Sequence, residues 1–144
     1  MNKNALTGIA GLRTLQKKPK AVTIGTDAEG FFKRLGLDEF FDIQERLMTV
    51  ENDFPKLSEE DAKDDKKVIA RNKAIANATK AVVIDLMIGV MTDEKGEPAF
   101  AEKDREELQQ LVTASFSRDF INSLIRSQGV TQEEIASAEA NFRQ

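Results

Sequence analysis

The sequence predicts a mainly α single domain of about five helices with a small N-terminal β-hairpin. Three observations carry this expectation. Apolar side chains recur every three or four residues through most of the chain beyond residue 37, the spacing of one helix face. β-branched residues concentrate in one short stretch, KAVTIG, which turn-forming residues follow. A chain of 144 residues with 40% apolar and 32% charged side chains suffices for one compact core and is short for two.

Residues 1–18 read as an N-terminal arm or short helix. Leu6, Ile9, Leu12 and Leu15 lie three apart, while Gly8 and Gly11 weaken the helix from within. Pro19 bounds the arm. Residues 20–35 then read as a hairpin, with KAVTIG as one strand, TDAEG as the turn and FFKRL as the return. Strand alternation sends Phe31 and Phe32 to opposite faces. A helix is predicted from 38 to about 51, with Asp38 placed to cap it, Leu37 to pack back as a staple, and Phe40, Phe41, Leu47 and Met48 as its apolar stripe.

The next stretch, DFPKLSEEDAKDDKK at 53–67, holds six acids, four lysines and Pro55. It reads as a mobile polar loop leading into a helix capped by Ser58. Residues 66–91 contain no proline and become apolar around nearly the whole circumference, the pattern of a central buried helix. TDEKGEP follows as a turn fixed by Gly96 and Pro98, and AEKDREELQQLV as a short helix on Leu108, Leu111 and Val112. Thr113 is placed to cap a further helix on Phe116, Phe120, Leu124, Ile121 and Ile125, and Gly129 to stop it. Thr131 with Glu134 matches a capping box opening a last helix on Ile135, Ala138 and Phe142. The helical body is thus expected over 38–143.

Composition narrows the function. With no cysteine and no histidine, disulfides, thiolate chemistry, an imidazole base and the commonest transition-metal ligands are all absent. A non-catalytic protein without cofactor or metal is the expectation. No stretch approaches the roughly 18 consecutive apolar residues of a membrane span, and the N-terminus places its basic cluster after its apolar residues, the reverse of a secretory signal. A cytoplasmic chain is expected. Residues 1–34 carry seven basic side chains against Asp27 and Glu29, a balance of +5, so the remainder of a chain of net charge −4 carries −9. Lys17, Lys18 and Lys20 therefore suit docking on an acidic partner or on the acidic body of another copy; the plainer reading is a solvated face. An acidic total and few aromatics among the bases argue against nucleic acid.

Several residues invite a site reading beside a structural one. The twelve residues Asp93–Asp104 resemble a calcium loop but place Lys95 third, Pro98 sixth and Asp104 last, which suits a plain turn. The acids between Glu59 and Asp65 alternate with lysines, as on a solvated face. Asp85, set among Val83, Ile84, Leu86 and Met87, requires a partner such as Arg71, Lys80 or a backbone group, or else marks an oligomer seam. Phe31, Phe32, Phe40 and Phe41 are either core or a partner surface, as are Met87 and Met91.

The run AVVIDLMIGVMTDEKGEPAFAEKDREELQQLVTASFSRDFINSLIRSQGVTQEE resembles the tail assembly chaperones of long-tailed bacteriophages. The resemblance lies in an apolar helix, the turn Asp93, Glu94, Gly96, Pro98 and Phe100, an acidic helix from Glu102 to Leu111, and a helix from Phe120 ending at Gly129 and Val130. GLRTLQKK and LGLDEFFDIQERL look similar in the N-terminal part; the 53–67 insert is less typical. What the resemblance implies is a protein of the host cytoplasm, absent from the finished virion. It would hold the tape measure protein soluble until the tail tube forms, recruit tail tube protein through a longer form, and self-associate. The other class compatible with the residues is a small phage-encoded adaptor or regulatory protein that binds one host protein.

Overall fold

The computed structural model describes residues 8–128, and over these it is a mainly α domain with a small antiparallel sheet. The chain begins with α1 (Gly8–Lys17), then forms β1 (Lys20–Ile24), β2 (Ala28–Phe32) and α2 (Leu37–Thr49). Single 3₁₀ turns follow at Val50–Asp53 and Asp61–Lys63 before the long helix α3 (Asp65–Val90), which runs directly into β3 (Met91–Thr92). A 3₁₀ turn at Glu102–Asp104 leads into α4 (Arg105–Leu111), and α5 (Ala114–Gln128) closes the described chain. The expectations for Leu6, Gly129, the Thr131–Glu134 capping box and the helix on Ile135, Ala138 and Phe142 lie outside the described residues.

The hairpin differs from its sequence expectation in two ways. Its turn comes earlier, at Gly25–Asp27, because Gly25 adopts φ +66 and reverses the chain there. Any side chain at 25 would also meet the Asp119 carboxylate, 2.6 Å from where a Cβ would stand. Ala28, Glu29 and Gly30 consequently belong to β2, with Ile24 opposite Ala28 and Ala21 opposite Phe31. The sheet also has a third strand: as α3 ends, Met91 leaves the helix for extended backbone and pairs with Phe32. Lys33 N–H donates to Val90 O at 2.9 Å, tying the helix end to the sheet. Met91 was expected at the end of the helix and instead lies in β3.

Three capping expectations are corrected. The N-cap of α2 is Gly36, without a side-chain cap; Asp38 sits in the first turn, where its charge favours the helix dipole, and Leu37 faces solvent instead of acting as a staple. Ser58 accepts from Asp61 N–H at 3.1 Å and so caps the short 3₁₀ turn, while Asp64 accepts from Lys66 N–H at 3.0 Å and caps α3. Thr113 does cap α5, accepting from Phe116 N–H at 3.0 Å. Within the 53–67 segment, expected as a mobile polar loop, lie the Ser58 and Asp64 caps, and Arg71 donates to its Phe54 and Pro55 carbonyls.

α3 is central, touching α2, α4, α5 and β3, but it is buried only in its C-terminal half, at Val82, Val83, Ile84, Leu86, Met87 and Val90. One face of the sheet, with Ile24, Phe32 and Met91, closes on α5. There Phe32 and Phe120 meet edge to face at 5.4 Å, and Phe116 stacks behind Phe120 at 6.3 Å. α5 lies along β1, where Ser123 Oγ donates to Thr23 O at 2.7 Å and Lys20 Nζ to Ser127 O at 2.6 Å.

Candidate functional site

The residues singled out from sequence separate into three groups. Phe32, Phe40, Met87 and Met91 are buried in the core, so their side chains are occupied by packing within the chain. Asp85 and Lys20 are engaged in bonds that hold elements together. Lys17, Lys18 and Phe41 are exposed, and Phe31 is half-buried on the open face of the sheet. Adjacent aromatic pairs thus split as the local geometry demands: β alternation separates Phe31 from Phe32, and a one-residue step around α2 separates Phe40, facing inward, from Phe41, facing outward. The two α2 rings still touch, with centroids 5.8 Å apart.

Asp85 answers the expectation of a partnered acid with different partners. Arg46 from α2 and Arg105 from α4 each donate to one of its carboxylate oxygens, and Arg105 also donates to both oxygens of Glu102, at 2.7 and 2.9 Å. Arg71 and Lys80, the expected partners, instead donate to backbone carbonyls, those of Phe54 and Pro55 and that of Gln109. Burial alone would raise the Asp85 carboxyl, but hydrogen bonds from Arg46 and Arg105 outweigh it and hold the group below the usual carboxylate range. Glu102 is lowered by its bond to Arg105, and Asp61 by its bond to Lys67. These are clamps between elements; every shifted acid is held in its ionised form, the opposite of a poised general acid.

Among the described residues no three acids are grouped to hold a metal ion, and no helix is long and apolar enough to cross a membrane. The Asp93 loop folds on itself: Asp93 Oδ1 accepts from Lys95 and Glu97 N–H at 2.8 and 2.9 Å, and Gly96 takes φ +91. Two of the open grooves among the described residues lie beside the singled-out residues. One, of 410 Å³, lies between α3 and α5 and is lined by Ala76, Lys80, Val112, Arg118 and Ile121 without a carboxylate. The other, of 610 Å³, covers the outer sheet face at Thr23, Glu29, Phe31, Thr92 and Phe100.

The feature that stands out is apolar surface that the other described residues leave uncovered. On α2, Leu37, Phe41 and Met48 are 70%, 53% and 72% exposed, and their spacings of four and seven put them on one face. That face is separate from the inward one made by Phe40, Ile43 and Leu47. On α1 no residue is buried, and Ile9 and Leu12 are 66% and 45% exposed. Ile69 and Leu111 are exposed singly. Sequence reasoning singles out Phe41 as a site residue but not Leu37 or Met48: it groups Met48 with Phe40, Phe41 and Leu47 in one stripe and places Leu37 as a staple, whereas a helix with apolar residues at 37, 40, 41, 43, 47 and 48 carries two stripes, and periodicity alone does not say which is covered.

Compared with protein-family models, with curated proteins and with solved structures, the chain matches none.

Proposed function

We propose that the protein is a non-catalytic tail assembly chaperone of a long-tailed phage, which binds the tape measure protein and keeps it soluble in the host cytoplasm while the tail tube is assembled. The observation that carries the reading is the stripe of Leu37, Phe41 and Met48 on α2, which the other described residues leave uncovered. A contiguous apolar face on a folded monomer is a contact surface, and an exposed helix face is suited to an apolar helix of a partner. Many copies bound along one very long chain would hold it through repeated weak contacts, so avidity supplies what a single stripe lacks. The absence of histidine and cysteine and the ion-paired state of the shifted acids favour a holding role over chemistry. A longer form of the protein would bring in tail tube protein, and the chaperone would leave before the virion is complete.

The test is light scattering after size-exclusion chromatography, on the protein alone and co-expressed with tape measure fragments that are insoluble by themselves. Fragments that become soluble and co-elute support the role, and Phe41→Ser is expected to weaken that co-elution while changing unfolding stability by less than about 0.5 kcal/mol. A protein that leaves every fragment insoluble overturns it.

A further inference from the structure

The two uncovered apolar faces of this chain carry opposite charge. Beside Ile9 and Leu12 on α1 run Arg13 and Lys17, four apart and both exposed. Beside Leu37, Phe41 and Met48 on α2 run Asp38, Asp42 and Glu45, at spacings of four and three and all exposed. None of these five charged side chains forms an ion pair among the described residues. Each helix therefore presents an apolar stripe with a charged row along it, basic on one and acidic on the other, the pattern by which two helix faces select one another.

Among the described residues of one chain the two faces do not meet, since both remain open to solvent. α1 is tied to the body at its C-terminal end, where Arg34 Nε donates to Lys18 O at 3.1 Å and Lys17 O lies 3.7 Å from the Cβ position of Gly96. No residue of the helix is buried. We propose that α1 of one copy packs on α2 of another, with Ile9 and Leu12 against Leu37, Phe41 and Met48, and Arg13 and Lys17 against Asp38, Asp42 and Glu45. A contact between two different patches is either exchanged reciprocally by two copies or continued head to tail, and every copy carries both halves of it. The inference deepens the self-associating part of the proposed role and names its interface: the Leu37, Phe41 and Met48 stripe is held by a second copy until a client displaces it; because the contact is read without any partner protein, its failure leaves client binding standing.

The test is a charge exchange, followed by light scattering across a concentration series at low and high salt. The wild-type protein is expected to gain mass with concentration and to lose part of that gain at 1 M salt, where screening acts over about 3 Å. Arg13→Glu with Lys17→Glu, and separately Asp38→Lys with Glu45→Lys, are each expected to weaken association at least tenfold. The two variants mixed together are expected to regain it, since each then meets its complement on the other. All four substitutions lie on exposed positions, and an unchanged circular dichroism spectrum checks that the fold is kept. A wild-type protein that stays monomeric at every concentration, half-exchanged variants that assemble like the wild type, or a mixture that stays apart would each overturn the contact.

Discussion

α1 and α5 are both amphipathic helices ending in a basic turn, and they meet opposite fates. α5 buries Ser117, Phe120, Ser123 and Leu124 against the sheet and α3, and its serines are small enough to let β1 come close and donate a bond back to Thr23. α1 buries nothing. The difference does not lie in periodicity, which is clear in both, but in what each face has available to it. α5 carries Phe120, which meets Phe32, with Phe116 stacked behind it, whereas α1 carries three large aliphatic residues, Ile9, Leu12 and Leu15, with two glycines and a charged flank. An amphipathic pattern reports a face that requires cover; it does not say which surface supplies it.

The sharpest way to break this contrast is truncation at equivalent apolar positions. Phe120→Ala removes a fully buried ring between Phe32 and Phe116 and is expected to cost about 3–5 kcal/mol in urea unfolding. Leu12→Ala, on the uncovered face, is expected to cost less than about 0.5 kcal/mol at concentrations where the protein is monomeric. Comparable losses at the two sites would show that α1 is part of the core in solution.

Gly25→Ala probes the hairpin that α5 covers. The left-handed φ of +66 disfavours any other residue, and the Asp119 carboxylate must also move aside, so a loss of about 1–2 kcal/mol is expected by thermal unfolding. Gly8, also at positive φ but with open space around it on α1, is expected to lose only the conformational part, about 1 kcal/mol or less. A smaller effect, about 1 kcal/mol, is expected for Ser123→Ala, which leaves the Thr23 carbonyl without the hydroxyl at 2.7 Å.

The Asp85 clamp gives a pH-dependent version of the comparison between a satisfied and an open surface. Its folded carboxyl titrates below the unfolded value of about 3.9, so the clamp contributes stability above that pH and loses it as the pH falls through the lower folded value. Asp85→Asn is expected to lower stability by about 1 kcal/mol at pH 7, with Arg46 and Arg105 left facing one another, and to differ less from the wild type at pH 3. Unfolding curves that stay parallel between pH 7 and pH 3 would show that the carboxylate is not held by the two arginines.

Local signals were legible in the sequence. KAVTIG forms a strand because its β-branched residues suit a pleated surface, α3 is long because nothing in 65–90 interrupts it, and Thr113 caps α5 because its hydroxyl satisfies the first-turn amide of Phe116. Where a glycine and a turn residue both offered a reversal, position along the chain was less legible, and the hairpin turned at Gly25. The clamp on Asp85 was legible as a need for a partner and not as a choice of partner: Arg46 and Arg105 lie 39 and 20 residues away, and only the approach of α2 and α4 to α3 selects them over Arg71 and Lys80. Leu37 and Met48 were missed for the same reason, since which of two stripes on α2 is covered depends on where α3 lies.

The mainly helical class, the hairpin, the lack of imidazole and thiol side chains, and the segregation of positive charge to the first 34 residues all follow from local backbone preference or from composition. Tertiary structure decided the rest. It added β3 by carrying the end of α3 past β2, turned Phe32, Phe40, Met87 and Met91 inward, paired Asp85 across three helices, and left Leu37, Phe41 and Met48 uncovered. Burial and pairing depend on residues distant in the chain coming together, and periodicity along one helix carries no information about what arrives at its other face.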